Sequence, residues 1–210
     1  MLNTLDRLIH GFDGFLRTVA RVKYEARSPT PTKSALNSTL TEDEIKLSSG
    51  LMRVNHAGEV CAQGLYKGQA LFASNEATEQ ALAKAAQEEL DHLAWCRERL
   101  DELGAKPSVL DPLWYTASFA LGAGAALISD KVSLGFVHAT EENVERHLRE
   151  HLKRLPDNDH ASRQILNQML ADEIHHGQIA LENGGEELPQ PIRRLMWESA
   201  RLMTITAKHI

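Results

Sequence analysis

Two segments of the sequence repeat the pattern Glu-x-x-His. They place Glu89 three residues before His92, and Glu173 three residues before His176. Residues three apart on an α-helix lie on the same face, so each pair can present one carboxylate and one imidazole to a metal ion. The pattern is common by chance in a chain with ten histidines, so its arrangement in the sequence is more informative than its presence.

Each Glu-x-x-His pair is preceded by a further glutamate at nearly the same distance. Glu59 lies 30 residues before Glu89, and Glu141 lies 32 residues before Glu173. About thirty residues allow a chain to climb one helix, turn and descend the next to the same depth. The spacing predicts two similar helical hairpins, in which the first glutamate of each hairpin faces the Glu-x-x-His pair of its second helix.

This donor set is typical of ferritin-like di-metal carboxylate bundles, in which two helices each supply a Glu and two supply Glu-x-x-His. Four buried carboxylates without a cation would be very costly, and two divalent ions would neutralise them. Carboxylate and imidazole ligands suit iron or manganese, and iron is the ion that activates O2. We therefore expect two iron ions per chain. The expected ligands, which are also the expected catalytic residues, are Glu59, Glu89, His92, Glu141, Glu173 and His176.

The register of the ligand on the fourth core helix is open on spacing alone. Glu141, Glu142 and Glu145 lie within about one turn; Glu141 is the first choice and Glu145 the second. His138 faces the same way as Glu141, and we interpret it as a core histidine or as a support for a ligand. The roles of His147 and His151 stay open.

Two further residues adjoin the expected ligands. Asp172 directly precedes Glu173 and is expected to orient a ligating imidazole, since metal-bound histidine usually donates its other N–H to a carboxylate or carbonyl. Cys61, two residues after Glu59, is expected to point away from the metals and to act as a small core residue.

The composition favours an all-α protein. Hydrophobic residues make up 42% of the chain and aromatic residues only 5%, and strong helix formers such as Ala, Leu, Glu and Lys are abundant. The fold class that we expect is a ferritin-like four-helix bundle with a di-iron core and additional amphipathic or apolar helices that face a membrane. Capping and breaking residues predict core helices over 42–73 and 76–103, from 111–112 onward, over 131–155 and 159–183, and from 189 or 191 to the C-terminus.

Two segments outside the metal-binding hairpins suggest contact with lipid. Residues 2–24 have an amphipathic pattern, and residues 113–129 carry no charge. The uncharged stretch is shorter than the roughly 20 apolar residues of a membrane span, so it is either a buried core helix or a segment at the lipid interface. Residues 28–40 read as a linker. We therefore divide the chain into 1–40, an N-terminal amphipathic helix with a linker, and 41–210, a ferritin-like di-iron domain.

Net charge and cysteine content argue against a nucleic-acid-binding protein and against a disulfide-stabilised one. The net charge of −6 offers no basic stripe for nucleic acid. Cys61 and Cys96 form no disulfide framework, which favours a reducing compartment. The first residues lack the features of a signal or transit peptide. We expect a peripheral protein at the cytoplasmic face of the inner (cell) membrane.

Three segments resemble one known family: RVNHAGE at 53–59, QEELDHL at 87–93 and DEIHH at 172–176. They are similar to the demethoxyubiquinone hydroxylases of ubiquinone biosynthesis, and the resemblance extends from about residue 45 to the C-terminus. It implies the same six ligands and places Glu141 by its position six residues before His147. It also implies O2-dependent hydroxylation of a polyprenyl methoxy-methyl-benzoquinol to a demethylubiquinol. Some members have a tyrosine after that histidine, where this chain has Leu148.

The substrate that the resemblance implies has a long isoprenoid tail, so the apolar segments are the expected membrane-docking surfaces. An exposed apolar face also suggests self-association into a homo-oligomer or a lipid-carrying accessory protein. Three alternatives use the same residues differently: a ferroxidase or storage subunit, another di-iron hydroxylase or oxidase, and a non-enzymatic helical interaction module that binds no metal.

Overall fold

The computed structural model describes residues 4–32 and 39–209. Leu2 of the predicted first helix, residues 33–38 of the predicted linker and the C-terminal Ile210 lie outside the described residues. Within those ranges the chain forms helices and no strand, as predicted. The helices are α1 (Thr4–Val19), α2 (Glu42–Phe72), α3 (Glu76–Glu102), α4 (Asp111–Ile128), α5 (Asp130–Arg154), α6 (His160–Glu182) and α7 (Gln190–Ala207).

Side-chain caps define where the core helices begin. Thr41 forms the predicted capping box with Glu44 at the start of α2. Asn75, Ser129 and Asp159 each accept a backbone N–H at the starts of α3, α5 and α6. These short polar side chains satisfy amide groups that have no partner inside the helix. The helix boundaries follow from them.

Helices α2, α3, α5 and α6 form a four-helix bundle from two hairpins. One apolar cluster fills the end of the bundle where α2 begins. It takes side chains from all four helices, including Leu51, Trp95, Leu148 and Met169. A second cluster fills the opposite end, where α2 finishes, and includes Tyr66 of α2 and Leu82 of α3. The two apolar layers leave a polar layer between them.

Helix α4 contains residues 113–128 of the predicted uncharged segment, and it packs along α2 in the same direction. The two backbones approach closely because small residues lie between them. A Cβ atom at Gly64 would lie 2.4 Å from the carbonyl oxygen of Tyr115, and one at Gly68 would lie 2.1 Å from that of Phe119. One face of α4 is therefore buried in the fold, while its opposite face exposes apolar side chains such as Leu121 and Leu127.

The N-terminal helix ends at Val19, so the predicted helix over 2–24 is too long. Arg21 adopts a positive φ of 51°, a conformation that ends a right-handed helix. The following residues 22–26 have no regular secondary structure. The chain is fixed to α3 beyond them, because the N–H groups of Arg27 and Ser28 donate to the carboxylate of Asp91 at 2.7 and 3.1 Å. The apolar periodicity ends at Val19, and only the charged residues Arg21 and Lys23 carried the predicted helix to residue 24.

Helix α1 is fixed to the bundle by one arginine. Arg7 donates to the carbonyl oxygens of Ala70, Leu71 and Ala73 and pairs with Glu79 at 2.8 Å. The outer face of α1 is apolar, and Phe12 on it is 61% exposed. Among the residues described, none of the helices combines the length and apolarity that crossing a bilayer requires.

Candidate metal centre

Six polar side chains meet in the layer between the two apolar clusters. Each of the four bundle helices contributes at least one, and all six are at least nine-tenths buried. They are the six predicted ligands: Glu59 from α2, Glu89 and His92 from α3, Glu141 from α5, and Glu173 and His176 from α6. The mirrored spacing in the sequence thus brings these residues to one depth of the bundle.

The two Glu-x-x-His pairs interlock across the hairpins. Nδ1 of His92 lies 2.9 Å from Oε2 of Glu89 and 3.1 Å from Oε1 of Glu173. Nδ1 of His176 lies 2.9 Å from Oε1 of Glu89 and 3.3 Å from Oε2 of Glu173. Each carboxylate therefore contacts both imidazoles. Spacing within each hairpin predicted only contacts inside that hairpin and missed this crossed arrangement.

The donor atoms fit metal ions better than they fit one another. One ring nitrogen has at most one proton to donate, yet each Nδ1 faces two carboxylate oxygens. Oε1 of Glu89 and Oε1 of Glu173 lie close to those nitrogens but form no aligned hydrogen bond with any described residue. Ligand atoms of Glu59, Glu89, His92 and Glu173 all lie within 4.8 Å of one another. Buried oxygen and nitrogen atoms that converge without a donor for each are what a cation satisfies.

The electrostatics of the cluster show the same demand for positive charge. Burial, reinforced by the charges of Glu89 and Glu173, raises the pKa of Glu59 well above its usual range. Burial also opposes ionisation of Glu89, but His92 and His176 outweigh it and lower that pKa. Burial alone would lower the pKa of His176, yet Glu173 and Glu89 raise it to about 11. The raised pKa of His176 shows that the surrounding carboxylates favour positive charge at the nitrogens where a metal ion would bind.

A carboxylate outside the cluster contacts the far nitrogen of each imidazole. Nε2 of His92 lies 3.1 Å from Oδ2 of Asp172, as the position of Asp172 beside Glu173 had suggested. Nε2 of His176 lies 3.0 Å from Oε2 of Glu88, a contact that we did not predict. Both carboxylates directly precede a Glu-x-x-His glutamate, and each holds the histidine of the other hairpin. The repeated acidic residue at 88 and 172 was the signal for Glu88.

Of the three glutamates in one turn of α5, Glu141 lies in the site. It is buried and accepts a hydrogen bond from the hydroxyl of Tyr66, a partner that the sequence did not reveal. Burial and then the charges of Glu173 and Glu89 raise the pKa of Glu141 well above its usual range. Glu142 pairs with Arg193 and Glu145 with Arg149, so neither is available to the site.

The three remaining histidines of α5 lie outside the cluster. His138 Nδ1 contacts the carbonyl oxygen of Gly177 at 2.9 Å. His147 and His151 pack edge to face with ring centroids 4.2 Å apart, and Nδ1 of His151 contacts Oδ1 of Asn55 at 2.8 Å. Burial, the largest cause for both, lowers the pKa of His147 to about 4 and that of His151 to about 2. These two residues form a neutral pair inside the bundle.

Comparison with known proteins gives consistent results. Residues 46–207 match the sequence model of a family described as ubiquinone biosynthesis protein COQ7. The chain is 49% identical over 210 residues to the 3-demethoxyubiquinol 3-hydroxylase of Marinomonas sp. (strain MWYL1), with all of both chains covered. It is 51% identical over 210 residues to the protein of that name from Polynucleobacter necessarius subsp. necessarius (strain STIR1), again with all of both chains covered.

A solved structure has the same fold at low identity. It is a dodecameric thioferritin, the bacterioferritin-related protein from Bacteroides fragilis, and the TM-score is 0.53 at 19% identity. The alignment covers 74% of this chain and 90% of the thioferritin chain. It supports the ferritin-like architecture of the bundle.

Proposed function

Because the chain belongs to the COQ7 family of ubiquinone biosynthesis proteins, we propose that its buried Glu and His cluster is the di-iron centre of a membrane-associated quinol hydroxylase. The protein is a hydroxylating oxidoreductase of ubiquinone biosynthesis, of the 3-demethoxyubiquinol 3-hydroxylase type. The reaction replaces a ring C–H bond of the demethoxyubiquinol by C–OH with one oxygen atom of O2. The other oxygen atom leaves as water, with two electrons and two protons from an external electron donor. The observation that carries the metal assignment is the convergence of four carboxylates and two imidazoles in one buried layer.

We assign two iron ions per chain to six ligands. Glu59, Glu89 and His92 serve one side, and the other side uses Glu141, Glu173 and His176. The carboxylates of Glu89 and Glu173 contact both imidazoles, so they would hold the ions together with His92 and His176. Iron bound there would activate O2 for the hydroxylation.

The chain's own residues prepare the site for that chemistry. Asp172 and Glu88 face Nε2 of the two histidines, which directs each Nδ1 toward the centre of the cluster. Tyr66 fixes one oxygen of Glu141. The apolar layers above and below exclude bulk water and so strengthen every electrostatic interaction inside the site.

The substrate's polyprenyl tail requires access from lipid, and we assign α1 and α4 to that contact. Phe12 of α1 and Leu121 of α4 belong to their exposed apolar faces, and the two helices pack side by side, with Gly11 of α1 against Phe119 of α4. Amphipathic helices of this kind bind in the interface plane of a bilayer. We place the protein at the cytoplasmic face of the inner membrane as a peripheral protein. The same exposed face is available to a second copy or a lipid-carrying protein.

A ferroxidase would use the same ligands, but membership of the COQ7 family favours the hydroxylase. The relatives share one name for a quinol hydroxylase over the full length of the chain. The thioferritin shares the fold at 19% identity, which carries no statement about activity.

The test combines metal analysis with a substrate assay. We expect about two irons per wild-type chain, and accumulation of a demethoxylated ubiquinone precursor in cells that lack the gene. The Glu173→Ala variant should lose iron and should fail to restore ubiquinone, whereas Glu187→Ala, a change at a matched exposed glutamate, should do neither. Full activity of Glu173→Ala would refute the ligand assignment, and normal ubiquinone in the deleted cells would refute the function.

A further inference from the structure

A pocket with a basic lining lies where the first turns of α7 pack against α5. Its volume is about 290 Å³, close to the roughly 300 Å³ at which small-molecule sites begin. The charged side chains of its lining are three arginines and one carboxylate, Arg146, Arg193, Arg194 and Glu142. The rest of the lining is uncharged and includes Gln190 and Trp197. Three positive charges and one negative charge give the pocket a net charge of +2.

Two of the three arginines have no ionic partner in the protein. Glu142 pairs with Arg193, which leaves Arg146 and Arg194 without a carboxylate partner among the described residues. Both residues are exposed, so their guanidinium groups are accessible to a molecule from outside the protein. Guanidinium groups on two neighbouring helices fit a phosphate ester, because each can donate two parallel N–H bonds to its oxygen atoms.

The start of α7 adds a second attraction for an anion. The helix begins at Gln190, and no side chain caps it there. The N-terminus of a helix favours negative charge, because its first N–H groups and the helix dipole point at the ligand. Since Gln190 also lines the pocket, a phosphate bound there would meet both the arginines and the helix end.

The outer face of α7 is apolar. Its spacing places four large exposed side chains on one side of the helix, Ile192, Leu195, Leu202 and Ile205. On the inner side, Met203 and Ala207 share an apolar cluster with Trp114 at the start of α4, so α7 adjoins a helix that also exposes apolar side chains. An apolar face beside a basic one is typical of a helix that lies in the headgroup region of a bilayer, where the ring type of Trp197 is enriched.

We propose that this pocket binds the phosphate of an anionic phospholipid, with Arg146 and Arg194 donating to its oxygen atoms and the acyl chains lying along the apolar face of α7. This inference rests on the membrane attachment in the proposed function and deepens it by naming a lipid class and the residues that recognise it. A soluble phosphate compound would use the arginines but leave the apolar face of α7 uncovered, whereas a phospholipid accounts for both features.

The first test is a flotation assay of the full-length protein on vesicles of phosphatidylcholine, with and without phosphatidylglycerol. Each basic residue near an anionic surface contributes about fivefold in affinity, which corresponds to about 1 kcal/mol. We expect Arg146→Gln/Arg194→Gln to bind the phosphatidylglycerol vesicles at least about tenfold less tightly than wild type, and the phosphatidylcholine vesicles equally. The control Lys153→Gln/Arg154→Gln removes two exposed charges at the C-terminal end of α5 and should bind as wild type does.

A variant that keeps the charge separates a built site from general surface attraction. Arg146→Lys/Arg194→Lys retains both positive charges but loses the paired N–H groups of guanidinium. We expect its affinity for phosphatidylglycerol vesicles to lie between those of wild type and the glutamine variant. If the lysine variant binds as wild type does, diffuse charge is sufficient and the phosphate site is overturned.

The apolar face of α7 is tested separately with Leu195→Glu, since Leu195 is 68% exposed. This change should weaken binding to both kinds of vesicle at least about tenfold, because the leucine loses its burial in lipid. His160→Glu on α6 is the control. Iron per chain should stay at the wild-type value in every variant. Self-association of the wild type that Leu195→Glu abolishes in sedimentation, with vesicle binding unchanged, would assign the face to a second copy and overturn the proposal.

The remaining outcomes separate this inference from the proposed function. Calorimetric titration with inorganic phosphate should show much weaker binding than the vesicles do. Equally tight binding of inorganic phosphate would make the ligand a soluble phosphate and overturn the lipid. If the wild type binds vesicles with and without phosphatidylglycerol equally, only this inference fails. If it binds neither kind, the membrane attachment in the proposed function fails as well, whereas the iron and substrate assays test the hydroxylase independently.

Discussion

The carboxylate of Asp172 on α6 lies 3.1 Å from Nε2 of His92 on α3, so a residue of one hairpin holds an imidazole of the other. Glu88 and His176 repeat the relationship in the opposite direction at 3.0 Å. Neither hairpin contains a complete set of the groups that orient its own histidine. Both hairpins therefore contribute residues that orient the ligands, just as both contribute the ligands themselves.

Removal of the charge at Asp172 should weaken metal binding. We expect Asp172→Asn to reduce iron affinity by about 10- to 100-fold, because the partner of a ligating imidazole fixes its orientation and raises its basicity. Competition with a chelator measures the affinity, and circular dichroism checks the helix content. Asp157→Asn is the control. An affinity within twofold of wild type would mean that the contact between Asp172 and His92 does not support the metal.

The close packing of α2 on α4 makes a second prediction. Gly68→Ala should destabilise the protein, since its Cβ would meet the carbonyl oxygen of Phe119 at 2.1 Å and overpacking costs about 1–3 kcal/mol. Gly124→Ala is the matched control on α4, because no atom lies within 4 Å of the added Cβ and alanine favours a helix by about 1 kcal/mol. Urea unfolding should give a lower free energy of unfolding than wild type for Gly68→Ala and a higher one for Gly124→Ala. Equal stability of both variants would contradict the close approach of the helices.

The docking role assigned to α1 can be tested with one side chain. Phe12 is 61% exposed on the outer face of α1, and burial of such a side chain in lipid contributes about 1.5–3 kcal/mol. Phe12→Glu should therefore reduce binding to phospholipid vesicles at least about tenfold in a flotation assay, with iron content unchanged. His160→Glu adds a charge at the exposed start of α6 and should bind as wild type. Undiminished binding of Phe12→Glu would remove α1 from the docking surface.

The buried pair of His147 and His151 makes the fold sensitive to acid. Burial lowers the pKa of His147 from 6.5 to about 4, so below pH 6.5 the unfolded chain takes up a proton that the folded chain refuses. Stability is complete above pH 6.5 and falls as the pH drops toward 4. The loss is at most about 3 kcal/mol for this group.

His147→Phe keeps a ring in place and removes the titrating group. Urea unfolding of the metal-free protein at several pH values should show a smaller loss of stability between pH 6.5 and 4 in the variant than in wild type. Parallel pH profiles of the two proteins would exclude His147 as a source of the acid sensitivity.

Local signals predicted the bundle well because they act over a few residues. Thr41 with Glu44 marked the start of α2, and the similar spacings of 30 and 32 residues from Glu59 and Glu141 placed the ligands at one depth. Contacts that depend on how the hairpins approach each other could not be predicted from the sequence. Tyr66 reaches Glu141 over 75 residues of sequence, and Glu88 reaches His176 over 88. The end of α1 was also missed, because the positive φ of Arg21 that follows Val19 leaves no local signal in the residue types.

Helix α4 has a consequence beyond its packing. It joins the two hairpins and runs parallel to α2. Its 18 residues span about 27 Å, and this length sets the position of the second hairpin relative to the first. One residue inserted in it would advance the second hairpin by about 1.5 Å and turn it by about 100°, and Glu173 would no longer meet Glu89. Changes in chain length should therefore be tolerated in the surface turns and selected against within this helix, although it contributes none of the six ligands.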